Sequence, residues 1–296
     1  MEGPRKKRAL VLSGGGSKGA WQAGAIKALL ESGRKYDIIT GISVGALNGS
    51  FLTMYADGEE LLAAEDLVNL WENLHTKNVH KRWFPFGMLH GLWKPSFYNS
   101  KPLMKMVHET LDVKALQNSG KELRVGAVSL DDGLYRMWSQ NDDDIADGVL
   151  ASSSFPGFLT PIKMDGRLWS DGGLRNVTPL KSAIELGAEE ADILMTMVSD
   201  EFEPLGKNPN ALKISKRTLD VMIDEVIQGD IKQALLINDI VSTAGRFMAT
   251  NKKYIYINLL RPSNKLDIDS LDFDNEKMKK LIKQGYEDGK HFIGST

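Results

Sequence analysis

The feature that most limits the folds open to this chain is a pair of glycine-bounded turns, Gly14-Gly15-Gly16-Ser17-Lys18-Gly19 and Gly41-Ile42-Ser43-Val44-Gly45. Each stands where an apolar run gives way to helical spacing. Arg8-Ala9-Leu10-Val11-Leu12-Ser13 reads as a short buried strand, and Trp21, Ala25, Ile26, Leu29 and Leu30 then recur at helical intervals up to Gly33, a residue suited to end a helix. Tyr36 to Thr40 reads as a second strand and Val44 to Tyr55 as a second helix. This alternation opens a parallel sheet with right-handed crossovers.

Further along, Glu122 to Leu130 and Leu134 to Ser139 alternate as strands around the hairpin signal Asp131-Asp132-Gly133. Asp192 to Val198 and Lys253 to Leu260 are predicted strands. Leu212 to Val241 is a predicted helix, with apolar positions at Leu219, Met222, Ile223, Val226, Leu235 and Val241. A last helix is expected from about Asn275, carrying Met278, Leu281, Ile282 and Phe292. The expected fold class is α/β: a three-layer α/β/α sandwich around a mainly parallel, mixed sheet. No linker, repeat or low-complexity tract divides the 296 residues, so one domain over 1–296 is expected.

A content of 42% apolar and 26% charged residues is ordinary for a soluble domain, and the net charge of -2 supplies no basic field to attract nucleic acid. The local run Arg5-Lys6-Lys7-Arg8 reads as a solvated lead into the first strand or as a contact for anionic lipid. The absence of cysteine excludes disulfides, thiolate metal sites and cysteine nucleophiles, and suits a reducing compartment. With no run long enough for a signal peptide or a membrane span, the expected location is cytoplasmic, with any membrane contact transient and peripheral.

Gly-x-Ser-x-Gly between a strand and a helix reads as a nucleophile elbow: the serine is exposed on a sharp turn beside the positive end of a helix. The glycine loop supplies backbone N–H groups, so Gly14, Gly15 and Gly16 are the candidate oxyanion hole of a serine acyl hydrolase, with Lys18 and Gly19 supporting the loop or substrate. Ser43 is the candidate nucleophile, and the plainer reading is a helix-capping serine. Gly14-x-Gly16-x-x-Gly19 also matches a dinucleotide fingerprint with Asp37 as the ribose-binding acid. That acid belongs at the end of the second strand, whereas Asp37 precedes Ile38 and Ile39. The loop also lacks the Gly-Lys-Ser/Thr ending of a phosphate loop.

A serine nucleophile needs a base. Among the five histidines only His291 follows the acidic candidates in hydrolase order, while His75, His80, His90 and His108 lack zinc-type spacing. Asp171, in Trp169-Ser170-Asp171-Gly172-Gly173, is the other candidate, set against a surface Asp-Gly turn. The stretch from Arg82 to Tyr98 is dense in rings: Trp83, Phe84, Phe86 and Trp93 read either as packing or as an acyl-chain wall or interfacial lid in contact with lipid. Met104, Met106, Met137, Met195 and Met197 suit core or pocket, and Asn141-Asp142-Asp143-Asp144 a solvated turn.

Taken in order, Gly14 to Gly19, Gly41 to Gly45, Ala151-Ser152-Ser153-Ser154-Phe155-Pro156 and Asp171-Gly172-Gly173 resemble the motifs of the patatin-like phospholipase family over nearly the whole chain. The resemblance implies a dyad without histidine: Ser43 attacks an ester carbonyl, Asp171 takes its proton, and the Gly14 to Gly16 amides hold the oxyanion. It implies no cofactor or metal for the chemical step, and a phospholipid or related acyl ester as substrate. One departure is visible, since Val177 stands where the family carries asparagine and Asn176 is displaced by one. The expected function is a lipid acyl hydrolase of phospholipase A or lysophospholipase type. A general carboxylesterase, an acyltransferase and a dinucleotide-binding module are the alternatives.

Overall fold

Strand β1 (Arg8–Leu12) lies at the centre of the sheet, as its composition requires: Ala9, Leu10, Val11 and Leu12 are wholly buried, the signature of a parallel strand covered on both faces. The computed structural model describes residues 5–85, 87–197, 202, 204–244 and 254–295. Parallel to β1 run β2 (Ile38–Gly41) and β9 (Glu190–Leu194), with β10 (Tyr256–Leu260) beyond β9 and β5 (Glu122–Ser129) beyond β2. The remaining partners are antiparallel. Strand β6 (Tyr135–Ser139) returns along β5 through the Asp131-Asp132-Gly133 turn, and the hairpin of β7 (Ile162–Met164) and β8 (Arg167–Asp171) joins β5 as well. A separate ribbon pairs β3 (Lys81–Arg82) with β4 (Tyr98–Asn99).

The period of two along each strand sorts side chains onto two cores. Leu10, Leu12, Ile39, Leu123 and Val125 face one side with α1 (Gly19–Glu31), α2 (Val44–Thr53) and α3 (Glu60–Glu72). Helix α4 (Thr76–Val79), α5 (Lys101–Thr110), α6 (Val113–Asn118) and α7 (Ile145–Ser152) complete that layer. Ala9, Val11 and Ile38 face the other side, against α8 (Leu180–Glu185) and α9 (Ala211–Ala244). The last helix, α10 (Asn275–Ser295), lies on α1, where the Trp21 indole donates to Asp288 Oδ2 at 2.7 Å. The mixed sheet with helices on both faces is the expected architecture.

Several local readings need correction. In α9 the stripe turned inward is Ile227, Ile231, Ala234 and Asn238, while Met222 and Leu235 are exposed; packing against α8 and the Gly172–Leu174 turn, rather than intrinsic periodicity, chose the face. The strand expected at Asp192 to Val198 is shifted to Glu190–Leu194, in register with β1, and the one expected from Lys253 starts at Tyr256; Val198 and Lys253 lie outside the described residues. Asp37 precedes β2, at the end of that strand away from Ser43, where its carboxylate accepts from the Arg8 N–H and from Arg5. It is thereby committed to ordering the chain entry, which removes it from the ribose role. Among the described residues no helix is long and apolar enough to cross a membrane.

Candidate active site

The turn after β2 is sharp because two backbones meet inside it. A Cβ on Gly41 would stand 2.1 Å from the Gly45 carbonyl oxygen, so this approach is open to glycine alone. Between them Ser43 adopts φ 57°, a left-handed conformation costly for a side chain, and leads directly into α2. Partners from the small-residue segment at the end of α7 hold it there: the Ser43 N–H donates to Ser152 Oγ at 3.0 Å, and Ser153 Oγ donates to the Ser43 carbonyl at 3.2 Å. The half-buried hydroxyl faces a cavity of about 400 Å³.

The glycine loop passes the same point. Its carbonyls and flanking amides are engaged elsewhere, Thr196 Oγ1 donating to the Gly14 carbonyl at 2.5 Å and the Ser17 N–H to the Ser270 carbonyl at 2.9 Å. Gly16 lies at φ 60° with Ser270 pressed against it, so a Cβ there would stand 2.0 Å from the Ser270 carbonyl oxygen. The N–H groups of Gly14, Gly15 and Gly16, and that of Val44 at the start of α2, have no acceptor among the described residues. All four residues line the cavity that Ser43 borders.

Asp171 ends β8 and is buried, with its Oδ1 accepting from the Gly173 N–H at 2.8 Å and its side chain bordering the same cavity as Ser43. Burial pushes its carboxyl up to about 6, while the Ser43 hydroxyl and the Gly173 N–H pull the other way. The group is thus ionised at neutral pH yet far more basic than a solvated aspartate. No histidine whose side chain is described joins Ser43 and Asp171. His291 is exposed on α10, His75 and His108 are exposed, and His80 is buried against the Leu271 carbonyl at 2.9 Å, its pKa lowered by desolvation. None of these four lines the cavity.

Away from Ser43 the cavity is apolar on the side of α2, α3 and α5, where Phe51, Met54, Leu74, Leu103 and Leu111 form the wall. Met106 and Met197 line it too, whereas Met195 belongs to the core. The ring-rich stretch is not that wall, because no described residue from 82 to 98 borders the cavity. Trp83 is partly buried and donates to the Ser96 carbonyl at 3.0 Å, while Phe84 and Trp93 are 93% and 73% exposed; Phe86 lies outside the described residues. On the side of the glycine loop the wall is charged, with Lys18, Lys216, Arg217, Asp220, Lys265 and Asp269. Sequence reasoning reached the two turns and Asp171 but missed Thr196, the apolar wall and the α9 charges, which no local motif marks.

The sequence model of the Patatin-like phospholipase family matches residues 10–184, a segment that contains both turns and Asp171. The mouse patatin-like phospholipase domain-containing protein 6 is 26% identical over 294 residues, covering 97% of this chain and 20% of that protein. Its mouse counterpart numbered 7 is 30% identical over 190 residues, covering 61% and 13%. The chain thus spans about a fifth or less of the length of these curated relatives. Among solved structures, VipD from Legionella pneumophila superposes over 99% of this chain and 67% of its own with a TM-score of 0.50 at 15% identity, a likeness of fold.

Proposed function

The chain belongs to the patatin-like phospholipase family, and we propose from that premise that it is a lipid acyl hydrolase in which Ser43 and Asp171 form the catalytic pair. Ser43 Oγ attacks the ester carbonyl carbon as its proton passes to the Asp171 carboxylate. The oxyanion that develops is met by the N–H groups of Gly14, Gly15, Gly16 and Val44, donors fixed in place before the charge forms. Collapse of this intermediate breaks the bond to the alcohol, which leaves with the proton from Asp171. Water then attacks the acyl-enzyme, Asp171 takes its proton, and return of that proton to Ser43 releases the fatty acid.

The observation that carries this reading is the convergence of Ser43, a buried, basic Asp171 and the amides of Gly14, Gly15, Gly16 and Val44 on the wall of one cavity with an apolar arm. The apolar arm supports an acyl chain as the occupant. Residues 1–296 act as one catalytic unit in this proposal. Exposed Phe84, Leu89 and Trp93, beside exposed Lys81, Arg82 and Lys94, form the surface that meets the lipid interface. A fluorophosphonate probe tests the reading: an adduct mapped to Ser43 and absent from Ser43→Ala supports it, and an unlabelled Ser43 in folded protein removes it.

A further inference from the structure

The glycine loop is held from outside by Asp269 and Ser270, the first of them 252 positions from Ser17 in sequence. The Ser17 N–H donates to the Ser270 carbonyl at 2.9 Å, and Ser17 Oγ donates to the Asp269 carbonyl at 2.8 Å. Gly16 packs so closely on Ser270 that a Cβ there would stand 2.0 Å from its carbonyl oxygen. With no slack at Gly16, a shift of the Ser270 peptide carries the loop with it. Asp269, Ser270, Leu271 and Phe273 also border the cavity, so this segment is both a wall of the site and a support of its donors.

What fixes the segment in turn is a histidine that the proposed chemistry leaves unused. His80 is buried, and its Nε2 lies 2.9 Å from the Leu271 carbonyl, one residue beyond Ser270. A carbonyl only accepts, so Nε2 carries the proton. Desolvation lowers the His80 pKa, which keeps the ring neutral at neutral pH. Tyr98 of β4 packs on the ring at 4.4 Å and Phe273 meets it edge-on at 6.5 Å, so the imidazole has one orientation. On the far side of Leu271, the Phe273 N–H donates to Thr76 Oγ1 at 3.2 Å and the Phe273 ring stacks on Trp71. Removing the His80 donor leaves a carbonyl in a place made for a buried partner, and the segment must move to satisfy it.

We propose that His80 is a positioning residue for ester hydrolysis: through the Leu271 carbonyl it fixes the Ser270 peptide, and through Ser270 it aims the Gly14 to Gly16 amides at the oxyanion. The proposal rests on the hydrolase reading. Donors of this kind act on charge that forms in the transition state, so their loss lowers kcat and leaves KM in place.

The test measures kcat and KM on a short soluble ester for His80→Leu and His80→Gln, with kcat expressed per Ser43 labelled by a fluorophosphonate so that unfolded chains do not count. His80→Leu keeps an apolar filling but has no donor, whereas His80→Gln presents an amide N–H at about the reach of Nε2. Leucine is expected to lower kcat about 10- to 100-fold at unchanged KM, part of the roughly 10²- to 10³-fold loss typical of a removed oxyanion donor. Glutamine is expected to restore most of it, although both variants lose the packed ring. His80→Asn, an amide one methylene shorter that falls short of Leu271, covers a leucine chain that does not fold and should behave as leucine does. Wild-type kcat per labelled site in folded His80→Leu or His80→Asn overturns the proposal, as does a loss in His80→Gln equal to theirs, which would assign His80 to packing alone. A labelled Ser43 with either of those results sinks the positioning role alone. An unlabelled Ser43 in folded wild type sinks the hydrolase reading itself.

Discussion

Ser43 and Asp171 meet because β2 and β8 occupy the same edge of β5 in succession. Strand β2 pairs in parallel with residues 122–125, β8 pairs antiparallel with residues 127–129, and β6 takes the opposite edge. The two strands therefore point at each other across Gly126, and the residues that end them, Ser43 after β2 and Asp171 in β8, meet on the wall of one cavity. The gap is narrow: a Cβ on Gly172 would stand 2.3 Å from the Gly126 carbonyl oxygen and 3.1 Å from Ile42 Cδ1.

Ser43→Ala is expected to lower ester hydrolysis by about 10⁶-fold, as when a serine nucleophile is deleted. Alanine keeps the Cβ and so leaves the elbow strain unchanged, and stability should move by less than about 1 kcal/mol. Turnover of a purified variant, measured beside its unfolding midpoint, checks both parts.

Asp171→Asn is expected to collapse activity while His291→Ala leaves it near wild type, since His291 is exposed and does not line the cavity. Equal collapse in both variants at unchanged stability would point to a histidine base. In wild type, kcat/KM should fall about tenfold per pH unit below the Asp171 pKa of about 6, because the base must be ionised.

The same residue has a consequence for stability. Its folded pKa is raised to about 6, above the ~3.9 of an unfolded aspartate, so the folded state binds the proton more tightly. The cost of burying the ionised group is full above the folded pKa and fades as pH falls toward the unfolded one. Asp171→Asn should therefore be more stable than wild type by on the order of 2 kcal/mol at pH 8, with the gain lost near pH 4. Denaturant titrations at the two pH values read the difference, and an equal gain at both would sink this account.

Gly15→Ala places a Cβ 2.2 Å from Thr196 Oγ1, the hydroxyl that holds the Gly14 carbonyl. Displacing it shifts the amides proposed to bind the oxyanion, and turnover should fall about 10²- to 10³-fold. KM should change little, since the ground-state ester uses these donors weakly.

Phe84→Ser with Trp93→Ser is expected to weaken hydrolysis of vesicles while sparing short soluble esters and the melting temperature, because both rings already face solvent. Trp83→Ser is expected to lower the melting temperature, since it removes a partly buried ring and its hydrogen bond to Ser96. Parallel losses on vesicles and soluble esters in the double variant would assign these rings to structure.

By itself the sequence determined whatever depends on neighbours along the chain. The apolar run from Ala9 to Leu12, the two glycine-bounded turns and the Asp131-Asp132-Gly133 hairpin each encode backbone geometry in a few residues, through chirality, the absence of a Cβ and the period of burial. That was enough to read a parallel α/β start and to single out Ser43. Asp171 was legible as a sharp turn and as a family motif, but its approach to Ser43 depends on how β5 divides one edge between two strands. The wall of the cavity, the grip of Thr196 and Ser270 on the glycine loop, and the face of α9 that carries Lys216 and Arg217 inward were likewise decided only by tertiary structure. These contacts join segments more than a hundred residues apart in sequence, such as Gly14 and Thr196. No local periodicity carries them, because burial and rotation of one element are set by the surface of another.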